Sequence, residues 1–92
     1  MPLPQAITEM VTYSAQLAAK QKLLYSRYGG MMTLSAVSRE LGYKNRSVAQ
    51  EWVLRHRIPE VQIGAVTRYE SDVVARAIVD SRRYPEKKEE AN

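Results

Sequence analysis

The 92-residue sequence contains no cysteine and a single histidine, His56. Disulfide frameworks and thiol chemistry are therefore excluded. A structural zinc site would have to be assembled from one imidazole and scattered carboxylates, which is not the nitrogen and sulfur set that zinc takes. Stability must come from packing. No apolar run approaches the roughly 20 residues that cross a bilayer, and the start, MPLPQAITEM, has no basic segment leading into an apolar one. These absences predict a cytoplasmic chain with no membrane partner. No GxxxxGK(S/T) or GxGxxG pattern surrounds Gly29-Gly30, so that pair reads as a helix stop and not as a phosphate loop. No paired carboxylates stand at helical spacing beside a nucleophile, and no acid–base–nucleophile set can be assembled. The expectation is a protein that is not an enzyme and uses no cofactor and no metal. Neither an internal repeat nor an interdomain linker is visible, and the length suits one modest core.

What is present is an ordinary globular composition, 45% apolar and 26% charged, with a formal net charge of +4. The charge is unevenly placed. Residues 39–68 hold six basic and three acidic side chains, whereas residues 69–92 hold five basic and six acidic ones. A positive excess over the central segment fits a polyanionic partner, because clustered cations gain affinity by releasing condensed counterions.

Apolar and small residues recur along 5–28 with the rhythm of one helical face, and Met10, Leu17 and Leu24 are spaced by seven. That spacing fits packing on the protein's own core, and it also fits a helix–helix contact with a second copy, which makes these three residues oligomerisation candidates. A short helix is expected from about Leu34 to Leu41, capped by Thr33 and stopped by Gly42. Asn45 caps the next helix, Arg46 to about Arg57, which ends before Ile58-Pro59. EVQIG and VTRYE alternate in the period of half-buried strands, with Val61, Ile63 and Val66 in phase, Tyr69 out of phase, and Gly64-Ala65 as the turn. Ser71 can cap a last helix whose buried stripe is Val73, Val74, Ala77 and Ile78. Beyond Tyr84-Pro85 the chain is charged and poor in apolar residues. The fold expected is mainly α with a small β-hairpin. Its parts are an N-terminal amphipathic helix over 1–30, a winged helix-turn-helix over 31–84, and a charged tail over 85–92.

The two short helices joined by GYKN form a helix-turn-helix candidate, in which the second helix packs one face inward and offers the other to a DNA major groove. Placing Ala49, Trp52, Val53 and His56 inward leaves Arg46, Ser47, Gln50, Glu51, Leu54 and Arg55 on the flanks and outside. Arg46 can reach guanine O6 and N7 or a phosphate, and Gln50 can pair with adenine. Glu51 can accept from cytosine N4 or hold a neighbouring arginine. Lys44, Arg55 and Arg57 fall where flanking phosphates would lie, and Arg68 on the hairpin would reach the adjacent backbone or minor groove.

The run TLSAVSRELGYKNRSVAQEWVLRHRIPEVQIG, followed by RYESDVV, resembles the winged-helix domains of phage excisionases and their MerR-like relatives over about residues 32–79. Shared features are a short helix ending in Leu-Gly, a recognition helix opening on a small polar residue and arginine, an Ile-Pro step, a strand ending at Ile-Gly, and a short wing. The resemblance carries the family's DNA contacts onto Arg46, Ser47, Gln50, Glu51 and Leu54, with the wing around Ala65 to Arg68. Leu54 and Ala65 depart from positions that are often basic, which implies fewer phosphate contacts. The resemblance implies an architectural protein that binds and bends double-stranded attachment-site DNA and partners an integrase, acting through several cooperating copies on DNA in a bacterial host. A small repressor and a terminase small subunit share the layout, and a protein-interaction adaptor would treat the basic face as incidental. MerR regulators proper continue into a coiled coil and an effector domain, so effector sensing is not expected here.

Overall fold

The computed structural model describes residues 12–83. Helix α1 (Tyr13–Tyr28) opens at Thr12, whose backbone is extended (φ −72°, ψ 161°) and whose Oγ1 accepts from the Ala15 N–H at 3.1 Å. That is an N-cap, and it places a helix start inside the segment expected to be one helix over 5–28. Residues 5–11, Met10 among them, lie outside the described residues. Gly29 (φ 83°) closes α1, donating its N–H to the Tyr25 carbonyl at 2.8 Å. The pair Met31–Met32 forms β1, and Thr33 caps α2 (Leu34–Leu41) by accepting from the Ala36 N–H at 2.9 Å. Helix α3 (Arg46–Arg55) stops two residues short of the expected end. Strands β2 (Val61–Ile63) and β3 (Val66–Glu70) lead into α4 (Ser71–Asp80). Ser71 does not cap α4. Glu70 occupies the cap position without a side-chain bond. The buried Ser71 instead donates both its N–H (2.9 Å) and its hydroxyl (3.2 Å) to the Gly30 carbonyl, which pins the start of α4 beside β1.

The sheet is antiparallel, three-stranded and ordered β1–β3–β2, so the expected hairpin has a third strand along its other edge. Met31 and Met32 face Glu70 and Tyr69, while Val61, Gln62 and Ile63 face Arg68, Thr67 and Val66. Two residues are too few to show a strand's alternation, so β1 leaves no periodic signal. The expected inward set is reversed at the hairpin tip. Tyr69 is buried at 2% exposure, whereas Ile63 and Val66 are open at 49% and 43%. Tyr69 and Val66 are three positions apart and so lie on opposite faces of β3, and the core takes the larger ring beside Met32.

One core gathers Leu24 of α1, Met32 of β1, Val37 of α2, Trp52 and Val53 of α3, Ile58, Tyr69 and Val74. Helix α1 lies along α4, and α2 packs on α3. Ala75 and Val79 join Val74 and Ala77 on the buried side of α4, while Val73 and Ile78 are half-buried at its margin. Leu24 is fully buried and Leu17 packs against the same cluster. Of the heptad-spaced residues, Leu24 is thus spent on the protein's own core and Leu17 lies half-buried at its margin.

Glu40 ties α2 to α1. Its carboxylate, 7% exposed, accepts from Arg27 Nη1 at 2.8 and 2.9 Å and from the Tyr28 hydroxyl at 2.9 Å, with Lys20 Nζ 3.6 Å away. Burial alone would raise its pKa. The Tyr28 hydroxyl, the Arg27 guanidinium and the Lys20 ammonium outweigh burial and hold it below the ordinary value. A depressed carboxyl pKa contributes stability above the unfolded-state value and loses it as pH falls through the folded-state one. Glu40→Gln is therefore expected to cost roughly 1–2 kcal/mol at neutral pH, since Arg27 is half in water and screened. Urea titrations at a series of pH values should show that difference shrinking as the acid range is entered. A constant difference across pH would show that the carboxylate's charge plays no part.

Candidate nucleic-acid interface

The turn between α2 and α3 is Gly42-Tyr43-Lys44-Asn45. Gly42 is left-handed (φ 81°, ψ 16°), its N–H reaches the Arg39 carbonyl at 3.2 Å, and the Tyr43 N–H reaches the Ser38 carbonyl at 2.9 Å. These two bonds close α2 in a Schellman motif. The buried Ser38 hydroxyl then donates to the Tyr43 carbonyl at 2.9 Å and locks the turn from inside. Asn45 Oδ1 accepts from both the N–H (2.9 Å) and the hydroxyl (2.8 Å) of Ser47. The start of α3 is thus fixed by side chains that sequence alone identifies.

Helix α3 buries Ala49, Trp52 and Val53, and His56 lies half-buried with its ring centroid 4.5 Å from that of Trp52. Its open face carries Ser47, Glu51, Leu54 and Arg55, with Leu54 at 63% exposure. The five residues expected to read DNA therefore divide. Glu51 and Leu54 stand free on the open face, and Ser47 stands there with its hydroxyl proton committed to Asn45. Arg46 is exposed on the flank toward α2, its Nη1 3.4 Å from the Ser35 hydroxyl. Gln50 is half-buried and its carboxamide sits beside the Tyr69 hydroxyl. Burial pushes the Tyr69 phenol up and the Glu60 charge adds to that, while Gln50 opposes both. Val48, 38% exposed, is an apolar member of the open face that the sequence reading passed over. The helical period places it with Glu51 and Arg55 at i, i+3 and i+7, and that signal could have found it.

Among the described residues both ion pairs converge on Glu40. Lys44, Arg46, Arg55 and Arg57 are exposed and carry none. Glu51 also forms no ion pair with Arg55, one turn on, or with any other described cation. On the hairpin, Gly64 (φ 67°) makes the two-residue turn to Ala65 possible, and Gln62 Nε2 donates across the strands to Thr67 Oγ1 at 2.9 Å. Arg68 is half-buried and donates from Nη1 to the Thr67 carbonyl at 3.1 Å, while Ala65 is exposed at the tip. The arrangement offers a rigid helix face with a free carboxylate and an exposed leucine, flanked by uncompensated cations.

No group of three or more metal-ligating side chains is placed to hold an ion among the described residues, and none of their helices is long and apolar enough to cross a membrane. Comparison of the chain with protein-family models, with curated proteins and with solved structures gives no match.

Proposed function

We propose that the chain is a winged helix-turn-helix protein that binds duplex DNA with α3 in the major groove and the β2–β3 hairpin as its wing. The observation that carries this reading is the state of the α3 face. Among the described residues Arg46 and Arg55 have no anionic partner and Glu51 has no cation, Leu54 is largely in water, and one long bond from Arg46 to the Ser35 hydroxyl is all that the described fold takes from the three charges. A basic groove-sized helix with free base-reading groups fits the needs of direct readout. The third strand supports the wing assignment, because pairing with β1 holds β3 in place and leaves the β2 edge and the tip as the projecting part.

Within that class the resemblance of residues 32–79 favours an excisionase-type role, in which several copies bind repeated sites, bend attachment-site DNA and direct an integrase toward excision. Bending a site of 20–30 bp costs on the order of 1–6 kcal/mol, which cooperating protomers can supply together.

The test is a gel-shift titration on a duplex spanning a phage attachment site, with an unrelated duplex as control, at two salt concentrations. Laddered complexes on the attachment site alone are the expected result. A single shifted band on a promoter-like duplex would instead make the protein a regulator. Absence of any shift at low salt would end the DNA-binding reading.

A further inference from the structure

Two helix ends in this chain are built on the same pair of hydrogen bonds. At the end of α2, the left-handed residue is Gly42, with bonds from Gly42 to Arg39 and from Tyr43 to Ser38. At the end of α3, the Arg57 N–H reaches the Leu54 carbonyl at 3.1 Å and the Ile58 N–H reaches the Val53 carbonyl at 3.0 Å. The left-handed residue there is Arg57 (φ 54°), the one non-glycine residue in that region among the described residues. The conformation crowds the Cβ of an L residue against the following carbonyl oxygen, and glycine escapes the penalty. The chain meets the identical requirement with glycine at one end and with arginine at the other.

Nothing else within the described structure uses the Arg57 side chain. It is exposed, donates no hydrogen bond and forms no ion pair with any described residue. Its backbone is held firmly on both sides, by Val53 and Leu54 behind it and by the buried Ile58 and the fixed ring of Pro59 ahead. It sits at the junction between the open face of α3 and the strand that begins the wing. We infer that Arg57 is a dedicated phosphate contact, whose left-handed backbone is the cost of holding a cation at the junction of helix and wing. The inference rests on the DNA-binding reading above, and to the expected phosphate contact of Arg57 it adds that binding and stability oppose each other at this residue. The opposing structural account is that a cation at a helix C-terminus stabilises the last carbonyls.

The experiment compares Arg57→Gly, Arg57→Asn and Arg57→Lys with the wild type, using Arg55→Ala as a second interface variant. Thermal melting is followed by circular dichroism. Binding to a fluorescein-labelled random-sequence duplex is followed by anisotropy over a range of sodium chloride. Arg57→Gly should melt higher than the wild type by a few degrees, since the left-handed penalty is gone. Arg57→Asn, which tolerates the conformation without the charge, should melt no lower. Both should bind about tenfold more weakly near 0.1 M salt, with the log–log salt slope reduced by about one. Arg57→Lys should keep the wild-type slope. A lower melting point for Arg57→Gly would make the guanidinium a helix-end stabiliser and overturn the inference. So would wild-type binding by Arg57→Gly while Arg55→Ala binds more weakly, and in that case the DNA-binding reading stands. A wild-type protein with no salt-dependent binding at all removes the reading and the inference together.

Discussion

Alanine in place of Trp52 is expected to remove a large part of the protein's stability. Trp52 is 6% exposed and lies in the one core, with Val53 beside it in sequence and His56 against its ring. Truncating a buried aromatic to alanine costs about 3–5 kcal/mol, because the lost contacts are only partly recovered by collapse of the cavity. A domain of this size has about 5–15 kcal/mol in total, and each kcal/mol moves its melting point by roughly 4–8 °C. The drop should therefore be in the tens of degrees when followed by circular dichroism. Trp52→Phe separates core from interface. It should fold with a smaller loss and bind DNA, per folded molecule, as the wild type does. A folded Trp52→Phe that no longer bound DNA would put the indole in the interface and overturn its placement in the core.

The parts of this fold legible in the sequence are those set within a few residues. Thr33, Gly42 and Asn45 act through bonds to neighbours no more than five positions away, and their residue types declare the geometry. The inward seam of Ala49, Trp52 and Val53 follows from period alone. The parts that escaped depend on the far side of the molecule. Ser71 is drawn toward Gly30, forty-one positions back. Strand β1 exists because β3 offers it an edge, and Leu24 is buried because α4 lies along α1. A heptad of apolar residues does not say whether its partner is the same chain or another. Tyr69 is out of phase with Val61, Ile63 and Val66 at the tip because the inward face of β3 is set at the end that pairs with Met32. The left-handed Arg57 had no local signal, since arginine is not the residue that geometry calls for.

The same dependence on surroundings governs what charge changes on α3 should do. Reversing Arg46 and Arg55 to glutamate leaves the core untouched, as both are exposed and without ion pairs among the described residues, and only the long bond from Arg46 to the Ser35 hydroxyl is given up. Secondary structure and melting point should stay near the wild type. If both face phosphates, each contributes about 0.9 to the log–log salt slope, so the slope should fall by about two. Affinity near 0.1 M salt should fall on the order of a hundredfold for every duplex alike, before repulsion adds to it. Glu51→Gln should act in the opposite sense. An unpaired carboxylate on a face that meets a polyanion weakens every complex and is retained only if it discriminates. Removing its charge should tighten binding to unrelated duplexes and erase about 1–3 kcal/mol of preference at one base pair, the one where cytosine N4 donates to it. Weaker binding of Glu51→Gln to all duplexes would show that the carboxylate holds the face together. Wild-type binding by the doubly reversed protein would show that phosphates do not approach α3. The two variants thus test different parts of one claim, since the arginines are assigned to grip and the glutamate to choice. Opposite signs alone follow from charge wherever the duplex docks, so it is the loss of preference at one base pair with Glu51→Gln that places the duplex on α3.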